Sequence, residues 1–185
     1  MKWVTRAYVH LDRVAAPWLI RRFVDDEAQF LFVKWGHEDE RPADAVPFGI
    51  PGVELSSHDS EGSTFHKIAA KYRLLADPAI SSIDKVIAAG VAYVVHGYRP
   101  ESGDKYGQVA VGMLEIAEGM MLLDGGDYQC LELSFPIYDA LYRNFRAHDL
   151  VESLSLKIPP HQGRGPEPKV NFLRELLRGA SSRLT

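Results

Sequence analysis

The chain is predicted to be an α+β protein, mainly helical, with a small β-sheet formed by its N-terminal strands. Apolar and polar residues alternate well enough over residues 3–10 for a strand, and an apolar run at residues 30–35 makes a second. After residue 63 apolar residues instead recur at the helical period. The length of 185 residues fits one domain, which we place at residues 1–150, followed by a tail at 151–185.

A short helix is expected between the two strands. Pro17 has no backbone N–H, so regular helix should start at about Ala16 or Pro17, where the missing donor costs nothing. Asp12 and Arg13 then lie just before a helix N-terminus, where exposed N–H groups favour anions. An ordinary amphipathic helix with exposed arginines is the alternative interpretation of the same residues.

Prolines and glycines predict a loop over residues 36–52, with a short extended piece at 46–50. Ser63 or Thr64 can cap a helix that reaches Tyr72. The pair Asp77-Pro78 starts a second helix that continues to about Val95.

The C-terminal half is predicted to add two long helices. Residues 106–123 have helical character despite three glycines, and residues 127–148 form a last major helix, kinked or started afresh at Pro136. The tail is expected to be extended over residues 157–169, with a short helix at 171–178.

Composition indicates which binding partners and which cellular compartment to expect. A net charge of −4 and a pI near 6.0 lack the basic excess of a domain that neutralises nucleic-acid phosphates, so no direct nucleic-acid partner is expected. The single cysteine, Cys130, fits a reducing compartment. No signal peptide and no apolar run approaching a membrane span were found, so we expect a cytoplasmic protein without a membrane partner.

Chemistry is expected from histidines and carboxylates. The chain has no nucleophile elbow, phosphate loop or dinucleotide fingerprint, so no nucleotide cofactor is expected. His58 and Glu61 share a loop before a helix, an arrangement that suits a divalent cation, although surface residues have the same spacing. His96 ends a helix, and Asp139 lies among apolar residues, where a carboxylate must be paired, capped or coordinated. A merely structural role remains open for both.

Residues 10–25 (HLDRVAAPWLIRRFVD) closely resemble the opening motif of the C-terminal domain of ChrB, the chromate-resistance family. The likeness continues through three further blocks, around residues 51–65, 94–107 and 136–142. Departures occur at Ala16, where many relatives have cysteine, at His66, where a carboxylate is expected, and at residues 97–99, where acidic residues are usual. The resemblance covers residues 3–146 and leaves the tail outside.

The resemblance implies a pocket made of residues from these separate blocks. Its expected metal ligands are His58, Glu61, His96 and Asp139. Its expected oxyanion-binding residues are Arg13, Arg21 and Arg22, and its expected supporting residues are His10, Asp12 and Tyr142. The metal would be a divalent ion of manganese, iron or zinc.

Three functions remain open at this point. The first is a module that binds a metal or an oxyanion in chromate or metal-stress resistance. The second is a small metal-dependent enzyme, redox or hydrolytic, that uses the same residues. The third is a structural or partner-binding domain without a metal. In the first two, the partner is an inorganic oxyanion or a small molecule, and the sequence does not predict the oligomeric state.

Overall fold

The fold combines a small parallel sheet with six α-helices in the part of the chain that a computed structural model describes, residues 1–160, 163 and 165–181. Strand β1 (Lys2–Arg6) is central and pairs in parallel with β2 (Gln29–Val33) and β3 (Val46–Pro47). The mainly helical α+β prediction is confirmed. The first two strands are shorter than the sequence pattern indicated.

Helix α1 spans Asp12–Leu19 and continues into a π-helical turn at Ile20–Val24. The predicted start at Ala16 or Pro17 is wrong, because Pro17 lies inside the helix. There it cannot donate to the carbonyl of the residue four positions earlier. The Asp12 carboxylate accepts hydrogen bonds from the Thr64 and Phe65 backbone N–H groups, and the Arg13 side chain donates to the end of β1. These tertiary contacts hold the first turn and outweigh the cost of the proline.

Helices α2 (Thr64–Lys71) and α3 (Pro78–His96) begin where their capping residues predicted. The Ser63 side chain accepts a hydrogen bond from the His66 backbone N–H at 3.0 Å. The Asp77 carboxylate accepts one from the Ala79 N–H at 2.8 Å. Each cap satisfies a backbone donor that the helix leaves without a partner.

The C-terminal half contains α4 (Lys105–Met121), α5 (Gly126–Ser153) and α6 (Glu167–Ser181). Helix α5 runs through Pro136 as one element. Helix α6 begins within the segment that was expected to be extended, and it is longer than the predicted residues 171–178. Since α6 packs against α5, it lies beside the domain rather than trailing from it.

The core lies where α1 meets the sheet, α3 and α5. Trp18 on α1 is fully buried and stacks on Tyr138 of α5, with ring centroids 5.7 Å apart. Trp3 and Phe30 place aromatic side chains from β1 and β2 in the same core. Consequently α1 is fixed on several sides, and the residues at its two ends have defined neighbours.

Helix α3 has the length and apolar composition of a membrane-spanning helix, contrary to the expectation that no segment approaches one. Core helices of soluble proteins can have both properties. Here α3 packs against α2, α4 and α5, and a third of its most apolar stretch is buried.

Candidate functional site

Asp12, at the start of α1, caps the neighbouring helix α2. Its two carboxylate oxygens accept the backbone N–H groups of Thr64 at 2.9 Å and Phe65 at 2.8 Å. Burial raises the pKa of Asp12, and the two backbone hydrogen bonds oppose that shift. The carboxylate that was expected to support a ligand pocket is therefore engaged in joining two helices.

Arg13 ties α1 to the end of β1. Its guanidinium donates hydrogen bonds of 3.1–3.3 Å to the carbonyl oxygens of residues 6–8 and lies 4.9 Å from the centre of the Trp35 ring. His10 approaches the same guanidinium at 3.4 Å. Burial, followed by the positive charge of Arg13, lowers the pKa of His10. These contacts direct Arg13 and His10 toward backbone rather than toward a shared ligand pocket.

Arg21 has a comparable role at the other end of α1. Its guanidinium donates to the carbonyl oxygen of Ala28, just before β2, and lies 5.6 Å from the centre of the Phe30 ring. Two of the three arginines predicted to bind an oxyanion are thus occupied by backbone carbonyls.

Arg22 and Asp139 form the polar centre of a different surface. The Arg22 guanidinium donates from Nε and from its terminal nitrogen to the two carboxylate oxygens, at 2.9 and 2.6 Å. Trp18 Nε1 donates to the same carboxylate at 2.9 Å. Burial opposes ionisation of Asp139, but the hydrogen bonds from Arg22 and Trp18 outweigh it and lower the pKa of the carboxyl group. Asp139 therefore remains a charged partner of arginine and indole.

A cleft of about 1180 Å³ opens beside this pair, and we call it the arginine cleft. Its lining combines aromatic side chains with arginines from the π-helical turn, α5 and α6. Among the described residues it is lined by Trp18, Arg22, Phe23, Asp139, Tyr142, Arg143, Arg146, Arg174, Leu177 and Arg178. Arginines outnumber carboxylates in this lining, even with Asp77 lying 3.7 Å from Arg146, so the positive charge of the cleft favours an anionic ligand.

Tyr142 connects this cleft to the start of α3. Its hydroxyl donates to the Asp77 carboxylate at 2.7 Å and accepts from Arg146 at 2.9 Å. Burial, followed by the hydrogen bond to Asp77, raises the pKa of Tyr142. The hydroxyl stays protonated at neutral pH and positions Arg146 along the cleft wall.

The two predicted histidine ligands lie on another cavity, of about 520 Å³, between the loop before α2 and the end of α3. His58 and His96 line it although they are far apart in sequence, and Asp59 lines it with them. The Asp59 carboxylate already accepts from Lys67 at 2.5 Å, which is the first cause that lowers its pKa to about 2. Of the expected ligands, Glu61 does not line this cavity.

The predicted convergence of four metal ligands is not seen. Asp139 lines the arginine cleft, whereas His58 and His96 line the smaller cavity. Across residues 1–160, 163 and 165–181, three or more histidine, cysteine, aspartate or glutamate side chains nowhere gather in a metal-binding group. The separation has a physical reason. Arg22 and Trp18 donate hydrogen bonds to the Asp139 carboxylate, which is therefore held at the arginine cleft.

Four arginines of the cleft were not predicted from the sequence, namely Arg143, Arg146, Arg174 and Arg178. A signal was available, because residues 139, 142, 143 and 146 fall on one face of a helix, as do residues 174, 177 and 178. Neither stripe shows from sequence that it faces the other. That juxtaposition depends on how α6 packs on α5.

Comparison with known proteins gives a family match over most of the folded domain. The family model described as "ChrB, C-terminal domain" matches residues 3–145. Protein ChrB of Cupriavidus metallidurans is 35% identical over 88 residues, which are 46% of this chain and 26% of that relative. The chain thus matches about a quarter of the relative's length. The comparison with solved structures found no match.

Proposed function

The chain belongs to the ChrB C-terminal domain family, and from that premise we propose that it serves chromate resistance by binding an inorganic oxyanion in the arginine cleft. The observation that carries this proposal is that arginines from α5, α6 and the π-helical turn line one cleft, with Arg143 and Arg174 exposed on it. Chromate, sulfate and phosphate are tetrahedral anions, and guanidinium groups offer planar, paired donors to such oxygens.

The arginines of the cleft are not equally available to an anion. Arg22 is bound through two hydrogen bonds to Asp139, and Arg146 donates to the Tyr142 hydroxyl. Arg143 and Arg174 are exposed, and within the described part of the chain no carboxylate lies within ion-pair distance of either. We therefore assign the direct contacts with a single oxyanion to Arg143 on α5, with Arg146 beside it on the same helix.

Asp139 has a positioning role in this proposal. By holding Arg22 in two hydrogen bonds, it fixes that guanidinium at the cleft wall. Its own negative charge repels an anion, which favours a ligand position nearer Arg143 and Arg146, further along α5.

Titration of sulfate and chromate at low ionic strength tests the proposal. We expect Arg143→Gln to weaken binding about tenfold, because a charge-assisted pair of donors is lost at an exposed site; tenfold corresponds to about 1.4 kcal/mol. The matched control is Arg73→Gln, which removes the same charge from an exposed position outside the cleft. Equal losses in the two variants, or no saturable binding by the wild type, would contradict the proposal.

A divalent-metal module is the second candidate, favoured by the presence of His58 and His96 on one cavity. The donor set fits poorly, because these two imidazoles fall short of the three protein ligands typical of a catalytic zinc site. Metal binding should raise the midpoint of thermal unfolding, by an amount that shrinks as pH falls, because protons compete with a metal ion for imidazole nitrogens. His96→Ala should abolish the increase, and midpoints unaffected by Mn²⁺, Fe²⁺, Zn²⁺ or EDTA in the wild type would exclude this candidate.

A further inference from the structure

We infer that the arginine cleft contains two anion subsites, one on α5 and one supplied by α6, and that it therefore binds linked anionic groups, such as a phosphoanhydride, more tightly than a single oxyanion. This inference rests on the proposed anion-binding function and names the ligand class that the same cleft favours. It also places a ligand-binding residue, Arg174, outside the family-matched region of residues 3–145.

The size of the cleft is the first argument. Pockets that bury whole organic ligands have volumes of about 300–1,000 Å³, and this open cleft has a volume of about 1180 Å³. A five-atom oxyanion fills only a small part of that space. A ligand with several linked anionic groups would fill more of the cleft and contact more of its arginines.

The second argument is the placement of the arginines on two facing helices. Arg143 and Arg146 lie on the face of α5 that also carries Asp139 and Tyr142, and Arg174 lies one turn before Leu177 on the cleft-facing side of α6. A single tetrahedral ion can contact only the donors that lie within hydrogen-bond distance of its four oxygen atoms. A ligand with linked anionic groups can be held by α5 and α6 together.

Helix α6 lies at the surface of the domain, which is the third observation. None of its described side chains is fully buried, and an isolated helix of 15 residues is marginally stable in water. Docking α6 also brings Arg174 to a cleft wall that already carries Arg143 and Arg146, so like charges face one another. An anion that spans the cleft would offset this repulsion and hold α6 against α5.

The aromatic residues of the cleft extend the ligand class. Phe23 and Tyr142 are half-buried in the cleft lining, and their rings pack edge to face with centroids 5.3 Å apart. They offer an apolar surface beside the arginines. A phosphoanhydride attached to an organic group, as in a nucleoside diphosphate, fits both parts of the lining.

Calorimetric titration of the full chain with phosphate and with pyrophosphate, at equal pH and ionic strength, tests the inference. We expect pyrophosphate to bind at least tenfold more tightly than phosphate with one molecule per chain. Arg174→Gln should remove that advantage while phosphate affinity stays within about twofold of the wild type. Arg73→Gln, the matched loss of charge outside the cleft, should retain the advantage, which separates a subsite on α6 from a general preference for higher ligand charge.

Hydrogen exchange in α6 gives a readout that does not depend on affinity. We expect saturating pyrophosphate to slow amide exchange in α6 more than saturating phosphate does, and Arg174→Gln to abolish the difference. Equal affinities for the two anions, two independent pyrophosphate sites, or an advantage that survives Arg174→Gln would each overturn the inference and leave the proposed oxyanion function intact. If phosphate, sulfate, chromate and pyrophosphate all fail to bind, both fail.

Discussion

Replacing Asp12 with alanine tests the conclusion that this carboxylate is a structural cap. The change removes both acceptors of the Thr64 and Phe65 backbone N–H groups and leaves these two buried donors without partners. Each orphaned donor costs about 1–3 kcal/mol, and relief from burying a charge opposes part of that loss. We expect a net decrease of about 2–4 kcal/mol in the free energy of unfolding.

The assay is thermal unfolding followed by circular dichroism. For a chain of this size, 1 kcal/mol shifts the midpoint by about 2–4 °C, so Asp12→Ala should lower it by roughly 5–15 °C. Asp104→Ala is the matched control. The Asp104 carboxylate caps α4 by accepting one hydrogen bond of 3.0 Å from the Gly107 backbone N–H, and Asp104 is less buried than Asp12. A cap of that kind contributes about 1 kcal/mol. If Asp12→Ala costs no more than Asp104→Ala, the assignment of Asp12 as a buried cap between helices is wrong.

The pH dependence of stability in the wild type and in Asp12→Ala tests how burial affects the Asp12 carboxylate. Burial raises the pKa of Asp12 in the folded state, so between the unfolded value of about 3.9 and the raised value the folded protein binds more protons. The contribution of Asp12 to stability is therefore fully present below that unfolded value and decreases as pH rises through the folded pKa. We expect the difference in stability between the wild type and Asp12→Ala to shrink from pH 4 upward. A difference that grows with pH would mean that the backbone hydrogen bonds outweigh burial.

Three further predictions concern packing. Gly112→Ala should raise the free energy of unfolding by up to about 1 kcal/mol, since no atom lies near the added methyl group. Gly107→Ala should lower the free energy of unfolding by about 1–3 kcal/mol, because the added methyl group overlaps a proline ring of the preceding loop. Chemical denaturation measures both changes. Tyr138→Phe should lower the unfolding free energy by about 1 kcal/mol, through loss of its hydroxyl bond to a backbone carbonyl, and an unchanged midpoint would contradict that. The Cys130 thiol, buried and with its pKa raised by burial, should react with a thiol reagent only after denaturant is added, and rapid reaction of the native protein would refute its burial.

The sequence predicted best those elements whose start depends on local chemistry. Ser63 and Asp77 accept hydrogen bonds from N–H groups in the first turns of their own helices, so the capping pattern alone located α2 and α3. Pro17 misled the prediction for the opposite reason. Its local preference for a first helical turn was outweighed by contacts that Asp12 makes with α2, more than fifty residues away in sequence.

The arginine cleft was beyond sequence analysis because it depends on the docking of α6. The Pro- and Gly-rich segment before α6 indicated an extended tail, and no local signal shows that a helix after it returns to α5. The separation of Asp139 from His58 and His96 has a similar origin. Each residue lies in a block that resembles the family, yet block membership carries no information about which face of a helix meets which neighbour.

The adjacent arginines in the π-helical turn after α1 show why residue type and position in sequence do not determine the role of a residue. Arg21 and Arg22 lie in the π-helical turn that follows α1, where successive side chains point in different directions, so Arg21 turns toward the segment before β2 and Arg22 turns toward α5. Arg21 donates to a backbone carbonyl, whereas Arg22 donates to Asp139 and becomes part of a charged surface. The chemistry of an arginine is decided by the group within reach of its guanidinium after folding, and here the fold gives one arginine a structural partner and places its neighbour at the edge of the cleft.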